Sequence, residues 1–373
     1  MTAHRDGAID DLRVSAFKIP TTSPEADGTF EWRATTIVVA RAKAAGVESL
    51  GYTYADVSAA QLIDSSLKSV AVGRDAMRVK ETWMAMVRAI RNLGRPGVCS
   101  MAIAAVDAAL WDLKARLLNV PLATLLGQAR SEVPAYGSGG FTSYTVEELQ
   151  KQLSGWAAQG IRAVKMKIGT RPEDDVDRVK AARAAVGAGV RLMVDANGAY
   201  TRQQAVEKAL AFGEFDVRWF EEPVSSDDLE GLRYLRERGP AGMEIAAGEY
   251  GYDALYFRRM LEAGAVDVLQ ADATRCAGVT GFLQVDGLAE GFGTPLSAHT
   301  APTLHTHLCC AAVRARDVEY FYDHARIERM FFDGAIEPVG GMLRTGEGPG
   351  LGLELKSSDV EKYKIYGDLY SSK

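Results

Sequence analysis

Residues 161–195 read IRAVKMKIGTRPEDDVDRVKAARAAVGAGVRLMVD and contain one complete strand–helix–strand unit. The short apolar runs Ala163–Ile168 and Arg191–Val194 indicate strands. Between them, the pattern of residues Asp174–Val186 predicts a helix. A strand, a helix and a further strand in succession are typical of a parallel α/β sheet, so this stretch predicts that class of fold.

The same alternation continues on both sides of this unit. Helix-like segments such as Val146–Gln159 and Thr201–Glu214 separate six further predicted strands: Ala135–Gly139, Val217–Phe220, Glu244–Ala247, Val266–Gln270, Pro295–Ala298 and Val318–Phe321. Eight strands that alternate with helices predict an α/β fold of the (β/α)8, TIM-like barrel type. A doubly wound open sheet is the alternative, and the strand count and the absence of a GxGxxG turn disfavour it.

The first third of the chain predicts a small α+β unit that caps the barrel. It contains strands at residues 12–19, Ala34–Ala42 and Gly51–Tyr54, followed by helices. We predict three parts: a capping domain at 1–128, the barrel at 129–335, and a C-terminal segment at 336–373 that returns to the capping domain.

Two loops of the cap, Thr21–Phe30 and Gly51–Tyr54, are expected to face the mouth of the barrel, to set specificity and to exclude water. Their only charged residues are Glu25 and Asp27. Tyr54, like Tyr52, suits substrate contact and packing between domains equally well.

Composition excludes several classes of function. The 373 residues are 47% hydrophobic and carry a net charge of −6, which argues against nucleic acid or an anionic membrane as a partner. The four cysteines form no CxxC pair, so a zinc site or a disulfide framework is disfavoured. The N-terminus has no apolar signal segment, and no apolar run approaches the ~18 residues that span a bilayer. We therefore expect a cytoplasmic protein.

Polar residues recur where the predicted barrel strands end. Because the C-terminal ends of barrel strands converge on one face, residues that are distant in sequence become neighbours there. The residues in question are Lys165, Lys167, Asp195, Asn197, Glu221, Glu249, Asp272 and His299.

Three of these residues are carboxylates on separate strands: Asp195, Glu221 and Glu249. Oxygen ligands without histidine or thiolate suit Mg²⁺, which keeps open positions for water and substrate oxygens, better than they suit zinc. Any one of them alone could equally be a surface charge or a helix N-cap. Their recurrence in consecutive strand–helix units predicts a metal site.

Two pairs of residues have the properties of proton-transfer groups. Lys165 and Lys167 are two apart on a strand, so they point the same way and are expected to lower each other's pKa, as a lysine base requires. Asp272 and His299 end neighbouring strands, where the carboxylate can fix the imidazole tautomer and raise its pKa. Solvated lysines and a lone structural histidine are the alternatives.

Other polar pairs predict structural roles. His305 and His307 form an HxH sequence on a predicted helix, where residues i and i+2 diverge, so we interpret them as helix-surface or packing residues. The pair Asp227-Asp228 predicts a helix N-cap.

Together these motifs resemble the mandelate racemase subgroup of the enolase superfamily. The stretches that carry the resemblance are Val164-Lys-Met-Lys-Ile168, Val194-Asp-Ala-Asn197, Trp219-Phe-Glu-Glu-Pro223, Ala247-Gly-Glu249, Ala271-Asp272 with Gly278-Val-Thr-Gly281, and Ser297-Ala-His299. The resemblance implies a Mg²⁺ cofactor held by the three carboxylates. It also implies a base on one face of the substrate and an imidazole on the other, namely Lys167, supported by Lys165, and His299, oriented by Asp272.

The resemblance implies further substrate contacts, for which we name Asn197 and Arg275. In mandelate racemase a glutamate near the end of strand eight donates to the substrate carboxylate. Here that region reads Glu319-Tyr-Phe-Tyr-Asp323-His324. Asp323 or His324 could take that role, and its absence from this chain is the third alternative.

The implied reaction is Mg²⁺-dependent removal of the proton α to a carboxylate. We predict dehydration of a sugar acid, an aldonate or aldarate, to a 2-keto-3-deoxy acid. A racemase or epimerase of a 2-hydroxy acid is the first alternative, and an inactive sugar-acid sensor or scaffold is the second. A metal-dependent barrel hydrolase usually needs a histidine-rich site, and the chain has only five histidines. The expected partners are a small carboxylate substrate and further copies of the chain.

Overall fold

Three long antiparallel strands begin the chain in the computed structural model, which describes residues 7–367. They are β1 (Asp11–Ala26), β2 (Glu31–Ala44) and β3 (Val47–Tyr54). A helical layer follows: α1 (Val57–Leu62), a π-helical turn (Ile63–Leu67), α2 (Lys68–Ala71), α3 (Val79–Ala89), α4 (Val98–Leu117) and α5 (Leu122–Leu125). Helix α4 lies so close to β3 that a Cβ atom on Gly51 would be 2.2 Å from the backbone nitrogen of Ala109, which explains the glycine.

The two stretches predicted as cap loops are largely strand. Strand β1 continues through Ala26, so residues 27–30 alone form the turn between β1 and β2, and Gly51–Tyr54 lies within β3. The loop prediction for Thr21–Phe30 is therefore wrong over most of its length. Pairing with β2, which sets Glu25 opposite Trp32, supplies backbone hydrogen bonds that a polar composition does not reveal.

Eight parallel strands form the closed barrel. They are β4 (Glu132–Gly139), β5 (Ala163–Lys167), β6 (Arg191–Asp195), β7 (Val217–Glu221), β8 (Glu244–Ala247), β9 (Val268–Ala271), β10 (Leu296–Ala298) and β11 (Ala315–Phe321). Each pairs with the next in chain order, and β11 pairs with β4, with Val318 opposite Ala135, which closes the ring. All eight predicted strands are confirmed, with small shifts at their ends.

A helix follows each barrel strand. These helices are α6 (Val146–Ala158), α7 (Asp175–Val186), α8 (Arg202–Gly213), α9 (Leu229–Arg238), α10 (Ala254–Glu262), α11 (Gly278–Phe292), α12 (Pro302–Ala311) and α13 (Tyr322–Phe331). The predicted N-cap at Asp227-Asp228 is confirmed for Asp228, whose side chain accepts the backbone N–H of Gly231 at 3.0 Å. Among the helices within residues 7–367, none combines the length and the apolar character needed to cross a membrane.

The C-terminal tail contacts both parts of the molecule. It contains β12 (Phe332–Asp333), β13 (Met342–Arg344), β14 (Glu354–Leu355), α14 (Ser357–Val360), a 3₁₀ turn (Glu361–Tyr363) and β15 (Lys364–Tyr366). Strand β13 pairs with β4 of the barrel, and β15 pairs with β1 and completes the cap sheet, as predicted. The exact boundaries at residues 128 and 335 stay predictions.

Candidate active site

A cavity of about 310 Å³ lies at the C-terminal ends of the barrel strands, under the turn between β1 and β2. This is the face of a (β/α)8 barrel where strand ends bring functional side chains together. The cavity wall is formed by the cap and the barrel jointly: Asp27, Thr29, Phe30, Trp32, Lys167, Asn197, Glu249, Tyr250, Arg275, His299, Thr300, Glu319, Phe321 and His324. Six residues of the predicted site therefore lie on this wall: Lys167, Asn197, Glu249, Arg275, His299 and His324.

The three predicted metal ligands meet at one point. Each of Asp195, Glu221 and Glu249 offers a carboxylate oxygen, and these oxygens all lie within 4.8 Å of one another. Asp195 and Glu221 end the paired strands β6 and β7, and they are opposite each other in register. All three side chains are buried, and Oε2 of Glu249 has no hydrogen-bond partner within residues 7–367. An all-oxygen, buried set with an unpartnered lone pair fits a hard divalent cation such as Mg²⁺.

The electrostatics of this cluster also fit a cation. Burial, followed by the charge of Asp195, raises the pKa of Glu221 well above its ordinary value. Burial raises the pKa of Glu249 as well, but the charges of His299 and Arg275 outweigh it and hold that pKa well below its usual range. Like charges in a buried site disfavour ionisation unless a positive charge compensates them, and a divalent cation is the strongest local compensation.

Lys165 is completely buried and held by two carboxylates. Its ammonium lies 2.6 and 2.7 Å from the two oxygens of Glu221 and 2.9 Å from Oε1 of Glu319. Burial lowers the pKa of Lys165, but Glu221 and Glu319 outweigh it and raise that pKa well above its ordinary value. Lys165 is not on the cavity wall within the described chain, so its charge acts from beneath the cavity.

Lys167 reaches the cavity from the same strand. Its ammonium donates to Oδ2 of Asp195 at 2.5 Å and to Oδ1 of Asn197 at 3.1 Å. Burial and, to a smaller extent, Lys165 lower its pKa, but Asp195 outweighs both, so the pKa is raised. Lys165 thus lowers the pKa of Lys167 as expected, but the carboxylates outweigh this effect, so the net pKa is not lowered in this arrangement.

The predicted dyad of Asp272 and His299 is formed. Nδ1 of His299 lies 2.9 Å from Oδ2 of Asp272, and Nε2 turns towards the cavity, 3.3 Å from Oε2 of Glu249. Burial raises the pKa of Asp272, but its hydrogen bond with His299 and the charge of that ring hold it well below its usual range. Since Asp272 stays ionised, it fixes His299 with the proton on Nδ1 and leaves Nε2 for proton transfer.

The lysine and the dyad approach the cavity from different sides. Lys167 ends β5 and His299 follows β10, and two strands, β4 and β11, separate these two strands around the ring. A small substrate in the cavity would therefore have the ammonium near one face and the imidazole near another.

Glu319 is a site residue that the sequence analysis did not assign. It lies on β11 and lines the cavity. One carboxylate oxygen accepts from Lys165, and the other accepts the backbone N–H of Thr300 at 3.0 Å. Burial raises its pKa, but Lys165 and His299 outweigh it and lower that pKa to about 2. In the predicted strand Val318–Phe321, Glu319 is the one charged residue, and this was the available signal.

The structure separates the two residues considered for the strand-eight role. Helix α13 begins at Tyr322, so consecutive side chains point in different directions. Asp323 lies away from the cavity wall and accepts from the Thr35 hydroxyl and, at 2.6 Å, from the Arg326 guanidinium. His324 does line the cavity, and burial, followed by the charge of His299, lowers its pKa to about 3.

Tyr54 lies behind the cavity wall, where it packs against His324. Its ring stacks on that of His324 with the centroids 3.4 Å apart, and it is not on the cavity wall within residues 7–367. The neighbouring Tyr52 is buried and donates to Glu328 at 2.6 Å. Packing between the cap and the barrel is thus the role that the contacts give to both tyrosines.

Asn197 and Arg275 both lie on the cavity wall, as expected. The guanidinium of Arg275 donates to Glu249 Oε1 at 3.2 Å, lies 3.8 Å from Asp272, and sits 5.0 Å from the ring centroid of Tyr250. Its charge is therefore shared between a metal ligand and the dyad.

His305 and His307 are both buried in α12. The interpretation as helix-surface residues is therefore wrong, and the interpretation as packing residues is confirmed. The helix lies against the barrel wall instead of facing solvent. His305 bonds to the backbone beside the dyad: Nε2 accepts from the N–H of Ala273 at 2.8 Å and Nδ1 lies 2.7 Å from the carbonyl of Thr300.

Comparison with known proteins gives one consistent result. Residues 19–127 match the family described as mandelate racemase / muconate lactonizing enzyme, N-terminal domain, and residues 148–360 match the family described as enolase C-terminal domain-like. A 3,6-anhydro-alpha-L-galactonate cycloisomerase of Streptomyces coelicolor is 35% identical over 80% of this chain and 84% of the relative. An arabinonate dehydratase of Saccharolobus solfataricus is 30% identical over 85% of this chain and 86% of the relative.

Solved structures agree with this. A mandelate racemase/muconate lactonizing enzyme-like protein from Rubrobacter xylanophilus superposes with a TM-score of 0.94 at 54% identity, covering 96% of this chain and 100% of the other. An L-talarate/galactarate dehydratase from Salmonella typhimurium, liganded with Mg and L-lyxarohydroxamate, gives a TM-score of 0.89 at 27% identity, covering 99% of this chain and 95% of the other. The chain belongs to the mandelate racemase subgroup of the enolase superfamily.

Proposed function

We propose that this protein is a Mg²⁺-dependent dehydratase that converts a sugar acid, an aldonate or an aldarate, to a 2-keto-3-deoxy acid. The observation that carries the proposal is the joint placement of three groups around one cavity. These are the three-carboxylate cluster, Lys167 on β5, and the His299–Asp272 pair at the ends of β10 and β9.

The relatives support the choice of reaction. Two of those described above are named as dehydratases of sugar acids, one of arabinonate and one of talarate and galactarate. The second was solved with Mg, and the present chain has a three-carboxylate cluster that suits this ion.

Asp195, Glu221 and Glu249 would hold the ion. When bound there, Mg²⁺ supplies stabilisation of the negative charge that develops on the substrate carboxylate as the α-proton leaves. Lys165 adds a positive charge from beneath the same point, where its bonds to Glu221 and Glu319 fix its position. A proton α to a carboxylate is very weakly acidic, so its removal needs such preorganised charge in a site from which water is excluded.

Proton transfer is the task of the lysine and the dyad. His299 Nε2, or Lys167 in its neutral amine form, takes the α-proton, and the electron pair of the C–H bond moves towards the carboxylate. That pair then expels the β-hydroxyl, which leaves as water on receiving a proton from His299 Nε2. This is the proton just taken from the α-carbon or, where Lys167 is the base, the Nε2 proton of an imidazolium that His299 carries from the start. The resulting enol tautomerises to the 2-keto-3-deoxy acid, so one sugar acid gives one keto acid and one water. Asp272 holds the ring with Nε2 facing the substrate throughout.

Racemisation or epimerisation of a 2-hydroxy acid is the second candidate. The specific observation in its favour is that Lys167 and His299 approach the cavity from different sides, which would allow removal of a proton from one face and its return to the other. This alternative needs no leaving group at the β-carbon.

A panel assay tests the proposal. The protein, loaded with Mg²⁺, is incubated with aldonates and aldarates, and the release of keto acid is measured together with uptake of solvent deuterium at the α-carbon. Keto acid from at least one sugar acid supports dehydration. Deuterium uptake with inverted configuration and no keto acid favours the racemase. Absence of both across the panel favours a binding protein without catalytic activity.

A further inference from the structure

The turn between β1 and β2 closes the cavity above the strand ends. Asp27, Thr29, Phe30 and Trp32 of this hairpin lie on the cavity wall, and the rings of Phe30 and Trp32 are stacked with centroids 6.2 Å apart. The reacting carboxylate of a sugar acid belongs at the metal cluster, so the other end of the substrate would lie under this hairpin. The chemistry of the hairpin therefore bears on what that second end can be.

The wall offers no unpaired cation for a second carboxylate. Its only lysine or arginine side chains within residues 7–367 are Lys167 and Arg275. Lys167 is bonded to Asp195 at the reacting end. Arg275 is shared between Glu249 and Asp272, at 3.2 and 3.8 Å.

The charge that the hairpin does present is negative. The Oδ1 atom of Asp27 accepts the backbone N–H groups of Thr29 and Phe30 at 2.7 and 2.8 Å, which fixes the carboxylate at the turn. Its Oδ2 atom has no hydrogen bond from any residue of the described chain, so it is available as an acceptor at the wall. A carboxylate in this position accepts from hydroxyl groups and repels a second carboxylate.

Behind this wall, Trp32 donates from its indole N–H to the buried Glu25 at 3.0 Å. Burial and the charge of Asp323 raise the pKa of Glu25 to about 8, so this carboxyl is neutral at neutral pH and does not repel a second carboxylate. The guanidinium of Arg326 is bonded to Asp323 at 2.6 Å. The repulsion of a distal carboxylate therefore rests on Asp27, on the wall itself.

We propose that the substrate is an aldonate, a monocarboxylic sugar acid whose hydroxylated tail lies under the hairpin and donates to Asp27, and that aldarates of matching stereochemistry are rejected at this end. The inference rests on the proposed function, because it takes the metal cluster as the place of the reacting carboxylate.

Binding and turnover of matched pairs test the inference. The pairs galactonate and galactarate, gluconate and glucarate, and mannonate and mannarate each differ only in the group at the sixth carbon, which is a hydroxymethyl in the aldonate and a carboxylate in the aldarate. Calorimetric titration of the Mg²⁺-loaded protein with both Lys167 and His299 replaced by alanine measures affinity without turnover, and keto acid release by the unaltered protein measures kcat/KM. We expect the best aldonate to exceed its aldarate partner by roughly 100-fold, the scale of an unfavourable like-charge contact.

Two variants test whether the Asp27 carboxylate causes the preference for the aldonate. Asp27→Asn should narrow the difference in affinity between the members of a pair by about tenfold or more. The amide oxygen can keep the two backbone bonds of the turn, and the NH₂ group that replaces Oδ2 is uncharged and repels no carboxylate. Glu31→Gln removes a charge from the same hairpin at an exposed position where Glu31 contacts Arg33, and it should leave that difference unchanged.

The outcomes separate the two proposals. If aldarates bind as tightly as aldonates or more tightly, the inference is overturned. If those aldarates are also converted to keto acids, the dehydratase proposal is still supported. Selective binding of aldonates without turnover of any acid upholds the inference and refutes dehydration. If neither class binds, both proposals fail. If the difference in affinity between an aldonate and its aldarate is unchanged in Asp27→Asn, the role given to the Asp27 carboxylate is overturned.

Discussion

The imidazole of His305 accepts a hydrogen bond at Nε2 from the backbone N–H of Ala273, at 2.8 Å. Because Nε2 is an acceptor, the proton is on Nδ1, which donates to the carbonyl of Thr300 at 2.7 Å. Ala273 follows Asp272, and Thr300 follows His299. One buried ring of α12 thus joins the two loops that carry the dyad.

Replacing His305 by Leu should lower kcat by about 10- to 100-fold, because the loss of both bonds lets the dyad loops shift, and a displacement of ~1 Å can cost that much. Gln in its place should recover part of the activity. The double variant with His299→Asn should be no worse than His299→Asn alone if His305 acts through the dyad.

His307 supplies the control for this prediction. It is buried on the same helix but has no side-chain hydrogen bond to the described residues of the dyad loops. His307→Leu should therefore leave kcat close to that of the unaltered protein. Equal losses of kcat in the two leucine variants would show a general effect of helix packing and contradict the specific role of His305.

Lys167→Ala and His299→Asn should each lower kcat by about 10²- to 10⁴-fold, the usual contribution of a positioned acid or base. The Mg²⁺ affinity should change much less, because neither residue belongs to the carboxylate cluster. Rapid-quench measurement of deuterium exchange at the α-carbon in each variant shows which residue takes the proton. Turnover that survives replacement of both residues by alanine would rule out the mechanism.

The ring of functional residues was predictable from the sequence because barrel topology is simple. Chain order equals strand order around the ring, so a polar residue at each strand end is enough to predict that Asp195, Glu221 and Glu249 converge. The same reasoning placed Asp272 beside His299, because they directly follow the neighbouring strands β9 and β10.

The features that the sequence did not reveal depend on which residues contact one another in the fold, and not on where each residue lies along its strand. The spacing of Lys165 and Lys167 gave their common direction, but their pKa values follow from the carboxylates around them, chiefly Glu221 and Asp195. Asp323 and His324 could not be separated because their directions depend on where α13 begins. The stretch Thr21–Phe30 was expected at the mouth of the barrel, and its turn does line the cavity. Its strand structure was not predicted, because its polar sequence resembles a loop and its pairing partner lies several residues away along β2.

Binding of Mg²⁺ should stabilise the fold. At a free concentration of one hundred times the dissociation constant, the linkage predicts about 2.7 kcal/mol of added stability. Glu249→Gln should reduce this gain, since it removes one of the three ligands. Thermal denaturation with and without Mg²⁺ measures both effects, and Glu237→Gln, at an exposed surface position, is the matched control. A metal-induced shift in Tm of equal size in both variants would argue against the carboxylate cluster as the binding site.

Glu25 should make stability depend on pH. Its Oε2 accepts from Trp32, and its Oε1 has no partner within residues 7–367. Burial and the charge of Asp323 raise its pKa from the ordinary 4.5 to about 8. A raised pKa means that the folded state binds this proton more tightly than the unfolded state does. The contribution of this proton to the free energy of unfolding is therefore complete below pH 4.5 and is lost as the pH rises through about 8.

Glu25→Gln abolishes this pH-dependent contribution to stability, because an amide does not ionise. We expect the variant to lose less stability than the unaltered protein between pH 5 and pH 8.5, by an amount on the order of 2 kcal/mol. The glutamine oxygen can still accept from Trp32, and its NH₂ group can donate towards Asp323. Urea denaturation across this pH range measures the difference. Glu31→Gln, on the exposed side of the same hairpin, should give a profile parallel to that of the unaltered protein. Parallel profiles for Glu25→Gln as well would show that the Glu25 carboxyl is already ionised near neutral pH and that Asp323 does not hold its proton in place.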